Sequence, residues 1–273
     1  MKILKLFLLS LIIPVSLFAQ GLVEVKHYSV MNGLSQNKVQ HVLQDNDGYI
    51  WLATWSGLEK FDGYTFKNYK SYPGDDVRLP YNRLTLNMAL GGNRTIVCQG
   101  YDNKIYLFDM QRECFVDIFA YHKDIKECES IRRLFQLDNG VVWAAGNKGD
   151  LWRIDCNRYM EDGSVDYMEA YDIPSHGGNI YDIALDNFGN EWIFTDKGYF
   201  VYGDENLQGH DAFRYHAVQG KYFYLADRQN KFARYSSDKG IEEIALTENM
   251  KFVRKLMALR DGRIGILMKR GFM

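Results

Sequence analysis

Residues 47–62 read DGYIWLATWSGLEKFD, a stretch in which turn residues alternate with two short apolar runs. The Asp-Gly pair is a strong hairpin signal, because tight turns need a backbone with positive φ. The same skeleton returns at residues 139–152, as NGVVWAAGNKGDLW, and at residues 188–198, as FGNEWIFTDKG. A unit of short strands that repeats every ~45 residues predicts the blades of a β-propeller, an all-β fold.

Each copy has one glycine three residues before a tryptophan and another glycine six residues after it. These repeat positions are Gly48, Trp51 and Gly57, then Gly140, Trp143 and Gly149, then Gly189, Trp192 and Gly198. Tryptophans that recur at one position of a stacked repeat are predicted to lie in the core between neighbouring blades.

The strand pattern divides most of the chain into four-stranded units. The first unit has predicted strands at residues 39–44, 49–53, 58–61 and 65–69. The second unit, in which Ile96 replaces the tryptophan, has them at residues 83–89, 95–99, 104–109 and 114–119. The third, fourth and sixth units begin at residues 131, 180 and 252, and a degenerate fifth unit covers residues 222–226, 231–235 and 241–246. Four antiparallel strands are typical of one propeller blade.

The sixth unit stops short, because the chain ends at Met273. We therefore expect residues 20–273 to form an incomplete propeller domain, with about five to six four-stranded blades of a seven-bladed ring. Residues 23–28 alternate like a lone strand, whose natural place is the outer strand of the last blade, but we expect that blade to be missing or incomplete here. An open ring would leave strand edges unpaired, so the chain is expected to be a fragment of a longer protein.

The net charge and the N-terminal segment narrow the class of protein to which this chain can belong. The formal net charge is −2 and the pI about 6.3, so no nucleic-acid-binding surface is expected. Lys2 and Lys5 precede an apolar run over residues 6–18, and the small residue Ala19 follows it. This pattern predicts a signal peptide over residues 1–19 and export of the rest of the chain.

The four cysteines have no metal-binding spacing. Cys98 falls in a predicted core strand and is expected to be a buried, small apolar residue. Cys114 and Cys128 are candidates for a disulfide. Since the six histidines also lack a ligand pair at metal spacing, the sequence predicts no metal site and no cofactor.

The runs at residues 32–39 (NGLSQNKV), 47–54 (DGYIWLAT) and 57–63 (GLEKFDG) resemble the two-component regulator propeller repeat. The match is strong in the first unit, partial in the third, fourth and sixth, and by strand pattern only in the others. The resemblance implies the N-terminal periplasmic sensor region of a hybrid two-component histidine kinase of the Bacteroidetes type. It also implies an oligosaccharide ligand and a role in regulating glycan utilisation.

In a full-length sensor the resemblance further implies a second propeller and a β-sandwich as partners, and a homodimeric parent. This sequence contains no kinase motifs. We therefore expect the chain itself not to be an enzyme, although the parent would be a sensor histidine kinase. The alternative functions are a scaffold for protein–protein interaction and, with less support, a propeller glycoside hydrolase or lyase.

Propeller ligands usually meet the face formed by the loops between second and third strands and by the connections between blades. The candidate ligand-binding residues on these segments are Trp55, Tyr101, Asp102, Asn147, Lys148, Asp196, Lys197, Arg78 and Tyr81. Trp55 is the strongest candidate, because the repeat does not need an aromatic residue there and an exposed indole can stack on a sugar ring. The alternative is that Trp55 packs on a neighbouring blade.

Other motifs have simpler interpretations. The Asp-Asn-Asp-Gly run at residues 45–48 resembles the start of a calcium loop, but the remaining ligands are missing and a turn is favoured. His41 either lines the central channel or packs between strands. Glycosidic hydrolysis needs two carboxyl groups that converge. Asp75 with Asp102 or Asp196 could in principle face one another across a ring, but nothing in the sequence indicates that they meet.

Overall fold

The computed structural model describes residues 25–74, 79, 81–92, 94–120, 122, 125, 131–160, 164, 167–173, 178–228, 231–245 and 253–268. In this part of the chain the structure is mainly β, with five four-stranded antiparallel sheets and one two-stranded sheet. The predicted signal peptide, Arg78 and Cys128 lie outside the described residues. Within the ranges given above, no helix is long and apolar enough to cross a membrane.

The strands follow one another blade by blade along the chain. The first blade has β1 (Val39–Gln44), β2 (Ile50–Thr54), β3 (Gly57–Phe61) and β4 (Phe66–Tyr69). The second has β5 (Leu84–Gly91), β6 (Thr95–Gly100), β7 (Ile105–Asp109) and β8 (Cys114–Val116). The third has β9 (Ile131–Gln136), β10 (Val141–Gly146), β11 (Leu151–Asp155) and β12 (Met168–Ala170).

The later blades repeat this order. The fourth has β13 (Ile180–Leu185), β14 (Glu191–Thr195), β15 (Tyr199–Val201) and β16 (Asp204–Gly209). The fifth has β17 (Tyr215–Gln219), β18 (Tyr222–Ala226), β19 (Phe232–Ser236) and β20 (Gly240–Glu243), and the sixth has β21 (Val253–Ala258) and β22 (Ile264–Met268). Short 3₁₀ segments lie at Val30–Asn32, Ile118–Ala120, Asn147–Gly149 and Cys156–Arg158.

In every sheet the spatial order of the strands is their order along the chain, as in an antiparallel meander. The first strands of successive blades pack side by side, β1 on β5, β5 on β9, β9 on β13 and β17 on β21. This arrangement confirms the predicted fold, a partial β-propeller with the first strand of each blade nearest the central axis.

Two strands of the structure were not predicted, and one predicted strand was too long. β17, the inner strand of the fifth blade, was not predicted, because only Ala217 in it is buried and its apolar periodicity is weak. The outer strand of the fourth blade, β16, was also missed, since Asp204–Gly209 is almost entirely polar. Backbone pairing to β18 and β15 forms these strands in spite of their composition. The predicted strand at residues 114–119 ends at Val116 and continues as a 3₁₀ segment.

Residues 25–28, the described part of the segment that alternates like a lone strand, form no strand. The Tyr28 ring instead contacts Phe61 and Phe66 of the first blade, with ring centroids 4.9 and 5.6 Å away. The apolar side chain that suggested a strand is thus used to cover the outer edge of the blade that follows it.

The repeated tryptophans are fully buried, and each packs against the next blade. The Trp51 ring lies 5.7 Å from Phe108 of the second blade, and the Trp143 ring 5.5 Å from Tyr202 of the fourth. Trp192 lies 5.3 Å from Phe223 of the fifth blade. Folding removes both faces of each large ring from water, so these residues contribute strongly to the stability of the packing between adjacent blades.

The turn at residues 45–48 is structural. One carboxylate oxygen of Asp45, Oδ1, accepts hydrogen bonds from the amides of Asp47 and Tyr49, at 3.0 and 2.9 Å. The other, Oδ2, accepts the indole N–H of Trp51 at 2.7 Å. Both oxygens are thus engaged within the hairpin, which supports the turn interpretation over a calcium loop.

Two of the repeat glycines are required by a close backbone approach. A Cβ at Gly57 would lie 2.3 Å from the carbonyl oxygen of Tyr69, and one at Gly198 would lie 2.1 Å from that of Gly209. In both blades the loop after the second strand thus touches the end of the outer strand. Gly149, which occupies the corresponding position in the third unit, has open space around it and ends a 3₁₀ segment instead.

Candidate functional site

The loops after the second strands and the connections between blades lie on one face of the propeller, which we call the upper face. This follows from the meander, because an antiparallel strand order returns the chain to the same end after every second strand. The hairpins between first and second strands, with their Asp-Gly and Asn-Gly turns, lie on the opposite, lower face.

The upper face carries a group of exposed aromatic residues between the first and second blades. Trp55, Tyr81 and Tyr101 are 40%, 67% and 57% exposed. The guanidinium of Arg83 lies 5.3 Å from the Trp55 ring centroid and 5.6 Å from that of Tyr101. The rings of Tyr81 and Tyr101 meet edge to face at 6.5 Å. We call Trp55, Tyr81, Arg83 and Tyr101 the aromatic cluster.

Local hydrogen bonds hold the cluster in place. The Thr54 hydroxyl donates to the Gly57 carbonyl at 2.9 Å and accepts the Ser56 amide at 3.0 Å, which closes the turn that carries Trp55. The amide of Tyr101 donates to the carbonyl of Arg83 at 2.9 Å. The loop of the second blade is therefore attached to the connection that leads into that blade.

The Trp55 ring is partly packed against the second blade and partly exposed. One side of the indole is covered by the side chain of Arg83, which belongs to the connection into the second blade, and Lys38 Nζ lies 5.0 Å from the ring centroid. The remaining surface is exposed. Cation–π contacts of this kind fix the orientation of a ring without burying it.

The other predicted ligand residues that the structure describes lie on the upper face but not in the cluster. Asp102 accepts the Tyr106 hydroxyl at 2.6 Å and so holds its own loop. Asp196 accepts the backbone amide and the side-chain amide of Asn179, at 2.8 and 3.0 Å, which attaches the loop of the fourth blade to the preceding connection. Asn147 and Lys197 are exposed on the third and fourth blades. Arg78 and the side chain of Lys148 lie outside the described residues.

Each predicted pair of carboxylates includes Asp75, so neither pair falls wholly within the described residues. Asp102 and Asp196 belong to the second and fourth blades, and each accepts hydrogen bonds from its own surroundings. Asp75, the third candidate, lies outside the described residues.

Sequence reasoning missed Arg83, the residue that connects the cluster. Its position was a usable signal, because it directly precedes β5 and follows Tyr81 by two residues on a connection already considered for ligand binding. A guanidinium between aromatic side chains supplies fixed N–H donors next to stacking surfaces. The cluster thus combines apolar ring faces with a cationic donor group.

Antiparallel blades around a common axis define a β-propeller, and an exposed aromatic cluster lies on its upper face. The sequence signature of the two component regulator propeller matches residues 33–56, which span the approach to β1, the first hairpin and the turn at Trp55. The chain therefore carries the two-component regulator propeller repeat that its first unit resembles.

A curated relative is histidine kinase P4 of Formosa agariphila, which is 43% identical over 54 residues. The matched stretch covers 20% of this chain and only 4% of that kinase.

Among solved structures, the extracellular domain of a hybrid two-component system from B. thetaiotaomicron is 16% identical, with a TM-score of 0.49. The similarity covers 86% of this chain and 31% of that one. Virginiamycin B lyase from Staphylococcus aureus is 12% identical, with the same TM-score and 88% of each chain covered.

Proposed function

We propose that this chain is the ligand-sensing propeller of an exported hybrid two-component sensor, and that its aromatic cluster binds an oligosaccharide. The observation that carries the proposal is the exposed cluster of Trp55, Tyr81 and Tyr101 around Arg83. The propeller repeat at residues 33–56 and the similarity to a histidine kinase support the sensor role.

The chemistry of the cluster suits a sugar. The faces of a pyranose ring carry C–H groups that pack on an indole or a phenol ring, and its hydroxyl groups accept hydrogen bonds from a guanidinium. Tryptophan, tyrosine and arginine are also the residues that most often dominate the free energy of binding at an interface. Since Arg83 and the turn hydrogen bonds orient the rings in advance, little conformational entropy is lost on binding.

The cellular context belongs to the same proposal. A signal peptide over residues 1–19 would export the chain to the periplasm, where glycan fragments are encountered. The other partners would be the remaining parts of a full-length sensor, a second propeller, a β-sandwich and a kinase core in a homodimeric parent. The output would be regulation of glycan utilisation.

The test is a glycan array with the purified chain, followed by titration calorimetry with each saccharide that binds. Trp55→Ala is expected to weaken binding at least tenfold, about 1.4 kcal/mol. The matched control is Tyr64→Ala, since Tyr64 is a 90% exposed aromatic residue in the turn between β3 and β4 on the lower face. This control should leave the affinity unchanged.

Two outcomes would reject the proposal. If no saccharide binds above background, the scaffold function for protein–protein interaction becomes the better explanation. If Trp55→Ala and Tyr64→Ala reduce affinity equally, saccharides bind elsewhere than at the aromatic cluster.

A further inference from the structure

A cleft of about 380 Å³ opens on the upper face between the third and fourth blades, away from the aromatic cluster. Three arginines line it, Arg132 and Arg133 from β9 and Arg214 from the connection into the fifth blade. Tyr181 of β13 lies among them. We call these four residues and the space between them the arginine cleft.

The positions of Arg132 and Tyr181 result from a repeated irregularity of the inner strands. In the third blade Ile131 and Arg133 pair with consecutive residues of β10, so Arg132 is an extra, unpaired residue. The same shift in the fourth blade makes Tyr181 the extra residue. A β-bulge turns a side chain away from the alternating pattern and is frequent beside binding sites. Two adjacent bulges thus direct two side chains into one cleft.

Two of the three cationic groups are held in defined orientations. The Nη1 of Arg133 donates to the Tyr181 carbonyl at 2.9 Å, and its guanidinium lies 4.6 Å from the Phe135 ring centroid. The guanidinium of Arg214 lies 4.1 Å from the Tyr181 ring centroid. These contacts leave further N–H donors of each guanidinium for a ligand, since arginine has five.

The positive charge of the cleft is not balanced by the protein in the part of the chain described. None of the ion pairs between described residues involves Arg132, Arg133 or Arg214. No described carboxylate lines the cleft. The neighbouring cavity shares Tyr181 and Arg214 with the cleft and contains three carboxylates. Asp196 is bound to Asn179, Asp211 pairs with Lys231 Nζ at 2.7 Å, and Asp227 accepts the Lys231 amide at 2.8 Å. Three like charges in one concave site attract an anion.

We propose that the arginine cleft binds an oxyanion group, carboxylate or sulfate, carried by an organic ligand. Guanidinium groups match both oxyanions in geometry and bind them through paired hydrogen bonds. The cleft is larger than a free sulfate needs and falls in the range of small-molecule sites, roughly 300–1,000 Å³. This site goes beyond the proposed function, because it shares no residue with the aromatic cluster and selects for charge rather than for a neutral ring.

The test is titration calorimetry of the purified chain at constant ionic strength with glucuronate, glucose 6-sulfate, glucose and inorganic sulfate. Glucuronate or glucose 6-sulfate is expected to bind at least tenfold more tightly than glucose. Arg132→Gln with Arg214→Gln should abolish that preference, whereas Arg260→Gln should retain it. Arg260 is a matched control, since it is exposed in the lower-face turn between β21 and β22.

Comparing the four ligands distinguishes a carboxylate site from a sulfate site. Tighter binding of glucuronate identifies a carboxylate site, and tighter binding of glucose 6-sulfate identifies a sulfate site. The affinity for glucose 6-sulfate relative to that for inorganic sulfate measures how much the sugar ring contributes to binding. If the double variant fails to fold, Arg132→Gln alone serves, because its side chain makes no hydrogen bond within the described residues. Equal binding of glucose and both anionic sugars, or equal loss in the Arg260→Gln control, would overturn this site. Neither result would affect saccharide binding that depends on Trp55.

Discussion

Arg153 on β11 forms a two-pronged ion pair with Glu191 on β14 of the next blade. Its Nε lies 2.9 Å from Oε2 and its Nη2 lies 2.6 Å from Oε1. The indole N–H of Trp143 donates to the same Oε2 at 2.6 Å. With side chains 11% and 5% exposed, this pair connects two blades in the interior of the protein.

The third unit needs this contact because its own turn lacks an acceptor. In the first and fourth units the indole N–H is bound by Asp45 or Asp186, three residues before the turn glycine. Leu137 occupies that position in the third unit. Glu191 of the next blade therefore accepts the Trp143 N–H, so a hydrogen bond within a blade is replaced by one between blades.

Glu191→Ala is expected to lower the free energy of unfolding by about 3–5 kcal/mol, because it leaves a buried guanidinium without its partner. Thermal unfolding followed by circular dichroism measures this change. Asp238→Ala is the control, since its pair with Lys221 is 4.0 Å long and more than half exposed, and it should leave Tm unchanged. A Glu191→Ala protein as stable as the Asp238→Ala protein would contradict a structural role for the pair.

Gly57→Ala is expected to destabilise the first blade, because the new Cβ would meet the Tyr69 carbonyl 2.3 Å away. Gly63→Ala is a matched control, since Gly63 also has positive φ but has nothing within 4 Å of the added atom. The control should show only the backbone cost of that conformation, roughly 1–2 kcal/mol. Urea midpoints compare the two variants. Equal midpoints would mean that the approach of the outer strand does not restrict this position.

Stability is expected to fall in acid partly through Asp109, a buried carboxylate of the second blade. Burial by itself raises the pKa of Asp109, but hydrogen bonds outweigh it and hold the pKa below its ordinary value. The donors are the amides of Arg112 and Gln111, the Tyr159 hydroxyl of the third blade and the Arg94 guanidinium.

Because the pKa is lower in the folded state, Asp109 stabilises the fold above its unfolded pKa, about 3.9, and this contribution is lost as pH falls further. Asp109→Asn should therefore lower Tm at pH 7 and weaken the dependence of Tm on pH between pH 5 and 3. The exposed Asp47→Asn change serves as control. An unchanged acid profile in Asp109→Asn would reject this assignment.

Cys98 and Cys156 are expected to resist thiol reagents in the folded protein. Burial raises the pKa of both thiols to about 12, so almost no thiolate is present at pH 8. Mass spectrometry after iodoacetamide treatment should show neither residue modified until denaturant unfolds the chain. Rapid labelling of Cys98 without denaturant would mean that the second blade opens readily.

The repeat pattern was sufficient to predict the architecture and most inner and second strands. Its strongest signals were local, since Asp-Gly turns and the glycine after Trp51 act within one hairpin. Strands without an apolar pattern, such as β16 and β17, were missed because pairing to a neighbour forms them rather than their own composition.

The candidate sites divide in the same way. Sequence reasoning placed Trp55, Tyr81 and Tyr101 on the upper face, because turn chemistry and strand order determine which loops share a face. Arg83, which joins them, and the arginine cleft were not found. The cleft brings Arg132 and Arg214 together although they are far apart in the chain. It also depends on β-bulges, which no local sequence pattern predicts.

The sequence by itself determined the repeat, the propeller class and the face on which the candidate loops lie, because each of these follows from short-range turn and strand preferences. Only the tertiary structure decided which carboxylate serves Trp143 and which cations share a cleft. Those contacts join residues of different blades, and their distances depend on how whole blades pack against one another.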